Sequence, residues 1–329
     1  MKQQRDYRID SIKGIMIFLV VFGHCIGQIS TISTDTTWLK YIVRFIFSFH
    51  MPVFVFISGY FSSSNSGKNA ISRYLIPYVL ANALFGLLSS LVNSQFSFSG
   101  ADPFSPQWTF WYLLSLFFWK VLLSSVLEWK YPLPTMIIVA LITGIFSADY
   151  FLSLSRTIVF FPYFIGGYLV RNADAGNTWK KHFNKRNSIL LFVIVETIVA
   201  FLAYKNVNGL TFQLCRSYRT MNQSIPTGIL LRLFTYVAGT AGIIFFFSII
   251  PNKKNYLSTL GKYSLTVYLA HSFCIKFLSK LIQLGSPTLI FLSSMLITII
   301  ICIIFGNKIV SNAYHLVMSK ITSLLFLEN

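Results

Sequence analysis

The chain has 329 residues, of which 55% are hydrophobic, 17% aromatic and 11% charged, and it carries a formal net charge of +18. A charged fraction this far below the roughly 25% of soluble domains excludes water as the main solvent, and the apolar residues fall in blocks near the ~20 residues that a helix needs to cross a bilayer. The Lys and Arg residues sit in short gaps between these blocks, the pattern of topology signals and phospholipid contacts rather than of a nucleic-acid surface.

Read in windows of about 19 residues, the sequence predicts an all-α, polytopic integral membrane protein with about ten transmembrane helices. They fall at 9–29, 40–61, 74–93, 108–127, 133–149, 155–170, 188–204, 227–250, 263–281 and 288–305. No gap between them is long enough for a second domain, so 1–329 reads as a single transmembrane domain with no separate soluble one. The basic start followed by an apolar stretch resembles a signal peptide, but Lys13 and His24 interrupt it and no small-residue cleavage site follows. It reads as a retained first helix.

In that helix Lys13 and His24 are eleven residues apart, close to three turns, so they share a face at ~16 Å separation along the axis. Asp10 lies three residues before Lys13 on the same face, at the spacing of a helical ion pair. A structural reading stands beside a functional one: a snorkelling lysine and a histidine hydrogen-bonded between helices. The second span carries Phe49-His50-Met51-Pro52 and then Ser58-Gly59-Tyr60. A proline there frees backbone carbonyls and bends the helix, and a Ser-Gly pair allows close backbone approach.

The small polar stretch 62–69 reads as a loop. With the N-terminus in the cytoplasm, the gaps holding Lys68 and Arg73, Lys130, Arg171 with Lys180, Lys181, Lys185 and Arg186, and Lys253 with Lys254 all face inward, as the positive-inside tendency requires. An even helix count returns the C-terminus to the same side. The gap 205–226 does not fit, since it holds Arg216 and Arg219 yet faces outward. It marks either a miscounted helix or a basic outer surface for an anionic polymer. Trp108, Trp111, Tyr112 and Trp119 suit an interfacial belt or a sugar-stacking surface. Glu196 within the seventh span is a functional suspect or a partner for Arg232. Cys25, Cys215, Cys274 and Cys302 show no CxxC spacing, so neither a disulfide framework nor a metal site is expected.

The run Arg8-Ile9-Asp10-Ser11-Ile12-Lys13-Gly14-Ile15 on to Gly23-His24, followed by FHMPVFVFISGYF at 49–61, resembles the signature of acyltransferase family 3. The nearest branch is the fucose 4-O-acetylase-like and capsular polysaccharide O-acetyltransferase group. Residues 108–119, 161–168 and 261–271 resemble the family's tryptophan-rich, phenylalanine-proline and late tyrosine-histidine helices. The resemblance implies a ten-helix enzyme that transfers an acetyl group from cytoplasmic acetyl-CoA to a hydroxyl of a cell-surface glycan or its lipid-linked precursor. No resident cofactor is expected, and a homo-oligomer is left open. The implied catalytic residue is His24, a general base suited by its near-neutral pKa. Lys13, Arg73 and Lys68 are implied contacts for the CoA phosphates, with Asp10, His50, Ser58, Gly59, Tyr60 and His271 supporting the site. One departure concerns the basic pair before the third helix: Ala70 stands three residues before Arg73, where family members often carry an arginine. A glycan or lipid flippase shares many helices and basic loops, but no paired half-sequences are evident.

Overall fold

The computed structural model describes residues 5–65, 67, 69–92, 102–146, 151–173 and 184–325. Each of the ten predicted windows falls on a helix, and no named strand occurs among the described residues. Among the described residues, seven helices are long and apolar enough to span a membrane. The chain falls into two compact units, one formed by Met1–Thr37 with Ile250–Asn329 and the other by Trp38–Ile249.

The first unit holds α1 (Tyr7–Ile29), the short α9 (Tyr256–Lys262), α10 (Ser264–Leu281), α11 (Pro287–Phe305) and α12 (Lys308–Leu325). Asp6 starts α1 by accepting a hydrogen bond from the Arg8 N–H at 2.9 Å, satisfying one of the donors that a helix start leaves open. Asn255 and Ser258 form a reciprocal capping box that starts α9. The predicted span 263–281 is α10, and Tyr263 separates it from the short α9, which lies before that window. α1 packs against α9, α10 and α11. At the α1–α9 crossing a Cβ on Gly14 would overlap the Leu257 carbonyl, and one on Gly261 would overlap the Asp10 carbonyl. The two glycines therefore let the backbones touch. The far end of α1 is tied by paired bonds, Thr31 N–H to the Leu284 carbonyl and Leu284 N–H to the Ile29 carbonyl, at 3.0 and 2.9 Å. The sequence windows miss α12, because its apolar residues are spread along an amphipathic helix rather than gathered in a run.

The second unit holds α2 (Leu39–Tyr60), α3 (Ile76–Val92), α4 (Trp111–Leu127), α5 (Pro132–Thr143), α6 (Leu154–Asn172), α7 (Lys185–Tyr204) and α8 (Ile225–Ile249), with a π-helical turn over Ile71–Leu75 leading into α3. Its centre is α2, which lies against α6, α7 and α8. α2 and α6 meet through glycines from both sides: a Cβ on Gly59 would overlap the Phe164 carbonyl, and one on Gly167 the Phe56 carbonyl.

α5 ends at Thr143, short of the predicted 133–149 and well short of a ~30 Å hydrocarbon core at 1.5 Å per residue. The segment after α7 closes over that end. Tyr218 donates its backbone N–H to the Gly144 carbonyl at 2.7 Å and its hydroxyl to the Leu141 carbonyl at 2.8 Å. Phe212, Leu214, Cys215 and Met221 are buried around it. Arg232 fastens the assembly, donating to the Ala140 and Arg216 carbonyls while its guanidinium stacks on the Tyr218 ring at 4.7 Å. The gap 205–226 is thus a packed plug. Arg219 is exposed on it and Arg216 half-buried.

The lipid solvent is visible in which faces are covered. On α7, Leu190, Val193 and Ile194 are exposed while Ser188 and Glu196 are buried; on α11, Leu292, Leu296 and Ile303 are exposed while Ser294 and Thr298 are buried. Polar groups turned inward and apolar groups outward is the arrangement a bilayer selects.

The neighbouring glycines of α6 make a sharp test of the α2–α6 contact. Gly166 has room for a methyl, its nearest neighbours being Phe56 ring atoms at 3.9 Å. Gly166→Ala is expected to hold or raise the thermal midpoint of the detergent-solubilised protein, since alanine favours helix by ~0.5–1 kcal/mol. Gly167→Ala is expected to lower it, with a cost of about 1–3 kcal/mol from overpacking against backbone. Equal midpoints for the two variants would contradict this packing.

Candidate active site

Near the start of α1, the Asp10 carboxylate takes Arg5 Nε at 2.6 Å and Lys13 Nζ at 2.9 Å. Asp10 is buried, while the Lys13 side chain keeps 21% exposure. The triad carries one net positive charge, held in place by the carboxylate, with Arg5 more exposed than Lys13. Backbone contact with α9 at Gly14 and Gly261 fixes this turn, and Ser11 Oγ donates to Asn255 Oδ1 at 3.3 Å. The ion pair expected between Asp10 and Lys13 is therefore present. Arg5 joins it from outside the helix, where helical spacing gives no signal.

Eleven residues along, His24 is half-buried and stacks on His271 of α10, with ring centroids 5.6 Å apart and 29° between planes. His271 is fully buried. Its Nδ1 lies 2.6 Å from the Tyr268 carbonyl. A carbonyl oxygen only accepts, so His271 Nδ1 carries the proton and the ring orientation is fixed by its own helix. His24, the more accessible ring, is the one open to a reacting group. The structure thus brings together two of the three histidines considered from sequence.

The third, His50, is in the second unit and buried on α2, donating from Nδ1 to the Ile46 carbonyl at 2.7 Å. About two turns further along, Ser58 bonds the Tyr112 hydroxyl at 2.6 Å and the Phe54 carbonyl at 3.0 Å. Gly59 is the close-contact residue against α6. The Tyr60 carbonyl accepts from Arg171 Nη1 at 3.0 Å, a cation at the C-terminal end of α2 where the helix dipole favours one. Of the Ser58-Gly59-Tyr60 motif, the serine reaches α4, the glycine lets α6 in and the tyrosine backbone ties down the end of α6.

Arg73 lies exposed on the π-helical turn, next to the buried Ala70. Lys68 lies outside the described residues. Within α4, Lys120 is buried and donates to Ser62 Oγ at 2.6 Å, and Arg73 and Arg171 act on its ammonium as like charges. The sequence reading overlooked Lys120, although a lysine in the middle of an apolar span is a signal in itself. Glu196 accepts a hydrogen bond from Ser48 at 2.9 Å, and its partner is thus a hydroxyl rather than Arg232. Trp111 and Trp119 are interior, with Trp119 donating from its indole to the Thr157 carbonyl at 2.7 Å, so they do not form an exposed belt. Among the described residues, no group of three or more His, Cys, Asp or Glu is placed to hold a metal.

A nodulation protein NolL from Sinorhizobium fredii is 34% identical over a stretch covering 37% of this chain and 36% of that protein. A nodulation protein NolL from Mesorhizobium japonicum is 27% identical over 61% of this chain and 56% of its own length. The match thus takes in about half or less of these relatives' length. No solved structure matches. The family model for the acyltransferase domain matches residues 6–307, taking in Asp10 and Lys13, the stacked histidines and the whole second unit; the chain belongs to acyltransferase family 3.

Proposed function

We propose that this protein is a membrane-bound O-acyltransferase that moves an acetyl group from acetyl-CoA to a hydroxyl of a cell-surface glycan or its lipid-linked precursor, in a bacterial plasma membrane. The observation that carries the proposal is the layout of α1: a net-positive Asp10–Arg5–Lys13 triad near one end and an accessible histidine, stacked on a buried one, about three turns away.

The chemistry follows from that layout. Lys13 attracts a donor phosphate, and the ~16 Å run along the helix suits the long pantetheine arm that carries the thioester. His24 takes the proton from the acceptor hydroxyl as its oxygen attacks the thioester carbonyl carbon, a role that typically contributes ~10²- to 10⁴-fold. The tetrahedral intermediate collapses by breaking the C–S bond. The departing thiolate recovers the proton from the His24 imidazolium, leaving CoA thiol and the O-acetyl ester. His271, whose Nδ1 is committed to Tyr268, positions the His24 ring rather than exchanging protons with the acceptor.

Lys13→Ala is expected to leave the fold intact, because Arg5 still pairs Asp10. It should raise the apparent KM for acetyl-CoA roughly tenfold or more, from ~1.5 kcal/mol or more lost with a charged hydrogen bond. An unchanged KM would move the donor phosphates elsewhere. Deleting the gene should remove an O-acetyl signal from the proton NMR spectrum of the surface glycan, and an unchanged spectrum counts against that acceptor. With the N-terminus in the cytoplasm, a single cysteine at Lys205 should react with an impermeant thiol reagent on intact cells and one at Asn69 should not. The reverse pattern would invert the orientation.

A further inference from the structure

α12 follows α11 after Gly306 and Asn307 alone. Asn307 starts it: its Oδ1 accepts the Val310 N–H at 3.1 Å, and its Nδ2 donates back to the Ile304 carbonyl at 2.6 Å. α11 is one of the spanning helices, and its 19 residues match a ~30 Å hydrocarbon core at 1.5 Å per residue. Phe305, its last residue, therefore stands at the edge of that core, and α12 begins in the headgroup layer. Contacts within the first unit say which edge this is. Thr266, near the start of α10, donates to the Phe305 carbonyl at 2.8 Å. A Cβ on Gly306 would overlap the Leu260 side chain of α9, and α9 meets α1 at Gly14. α12 thus starts at the end of the unit that holds Asp10 and Lys13.

At about 100° per residue, α12 separates into three faces. It packs against α10 and α11, and its covered side carries Ser311, Tyr314, Met318 and Ile321, the serine buried and the others half-buried. Ile309, Leu316, Val317 and Leu324 are all exposed and fall within an arc of about 100°. Lys308, Asn312, His315 and Ser319 are exposed as well and fall within a separate arc of about 60°. Lys320 stands in the middle of the apolar arc, and the helix has no Asp or Glu.

A helix surrounded by water would leave the apolar arc hydrated. A helix crossing the bilayer would carry two lysines and a histidine into hydrocarbon, where each is costly. A second copy of the chain seated on the apolar arc would cover Lys320, and its own α12 would bring no carboxylate to meet it. The membrane interface satisfies all three faces at once. The apolar arc enters the acyl boundary, the polar arc faces water, and the Lys320 stem runs along apolar surface while its ammonium reaches up to the headgroups. Two lysines without a nearby carboxylate on their helix are complementary to an anionic leaflet.

We propose that α12 is an interfacial anchor, lying in the leaflet at the Lys13 end of the first unit and binding anionic phospholipid through Lys308 and Lys320. It lies beyond residues 6–307, which the family model matches, and the inference stands apart from the acyl-transfer chemistry proposed above.

The test is fluorescence quenching of the full-length protein in nanodiscs, with bimane on a single cysteine at Leu316 or at Asn312 in a cysteine-free background. Bimane at Leu316 should be quenched by brominated lipid and not by iodide in the water; bimane at Asn312 should be quenched by iodide. Quenching at Leu316 by iodide alone would place the helix in water, and quenching by neither would mean that another protein chain covers it. Either result overturns the proposal. At equal mole fraction, brominated phosphatidylglycerol should quench Leu316 at least twofold more than brominated phosphatidylcholine. The double substitution Lys308→Gln with Lys320→Gln, on exposed positions that leave the covered face intact, should bring that ratio to about one. Equal quenching by the two lipids before the substitution, or the same preference after it in a folded variant, would overturn the anionic-lipid site.

Discussion

In a bilayer, lipid tails are as apolar as leucine, so helices gain little by hiding hydrophobic surface from one another and depend on close van der Waals contact instead. Backbone contact at glycine is the constraint on which the rest of this structure depends. Gly14 and Gly261 bring α1 onto α9, and Gly59 and Gly167 bring α2 onto α6. Each contact lies beside chemistry. The first holds the turn bearing Asp10 and Lys13, and the second holds the end of α2 where Ser58, Tyr60 and Ser62 engage α4 and α6. Widening either crossing by one methyl would move charged and hydroxyl groups whose hydrogen bonds hold at 2.6 to 3.0 Å.

Many polar groups inside the units are tied to their own or a neighbouring helix. His50 and His271 donate to carbonyls within their helices, Trp119 reaches α6 and Arg232 ties the plug to α5. Such bonds, worth on the order of 0.6–2 kcal/mol each in membranes, specify which faces meet. Lys13 is paired with Asp10 and His24 stacks on His271, yet both retain exposure. Accessible polar groups on a helix otherwise packed into its unit mark the surface on which a reaction can occur.

The helices were legible in the sequence because a bilayer demands long apolar runs, and the α1 motif was legible because helical spacing alone puts Asp10, Lys13 and His24 on one face. What escaped the reading depends on tertiary contact. The stacking of His271 on His24 joins residues far apart in the chain. The short α5 requires a plug whose apolar residues, Phe212, Leu214 and Tyr218, are interleaved with polar ones and give no span signal. α12 is amphipathic, and α9, with 7 residues, is too short to give a span signal. Lys120 was visible as a charge in an apolar block, but its bond to Ser62 depends on how α2 and α4 meet.

The central claim is that His24 is the base for acyl transfer. It is tested by the incorporation of radiolabelled acetyl from acetyl-CoA into alkali-labile ester, using inverted membrane vesicles from cells lacking the native gene. Vesicles carrying the wild-type protein should incorporate label. Those carrying His24→Ala at the same abundance and thermal stability should show none even at saturating donor, while His50→Ala and His271→Ala retain a measurable part. Incorporation by His24→Ala at a rate near wild type would contradict the account.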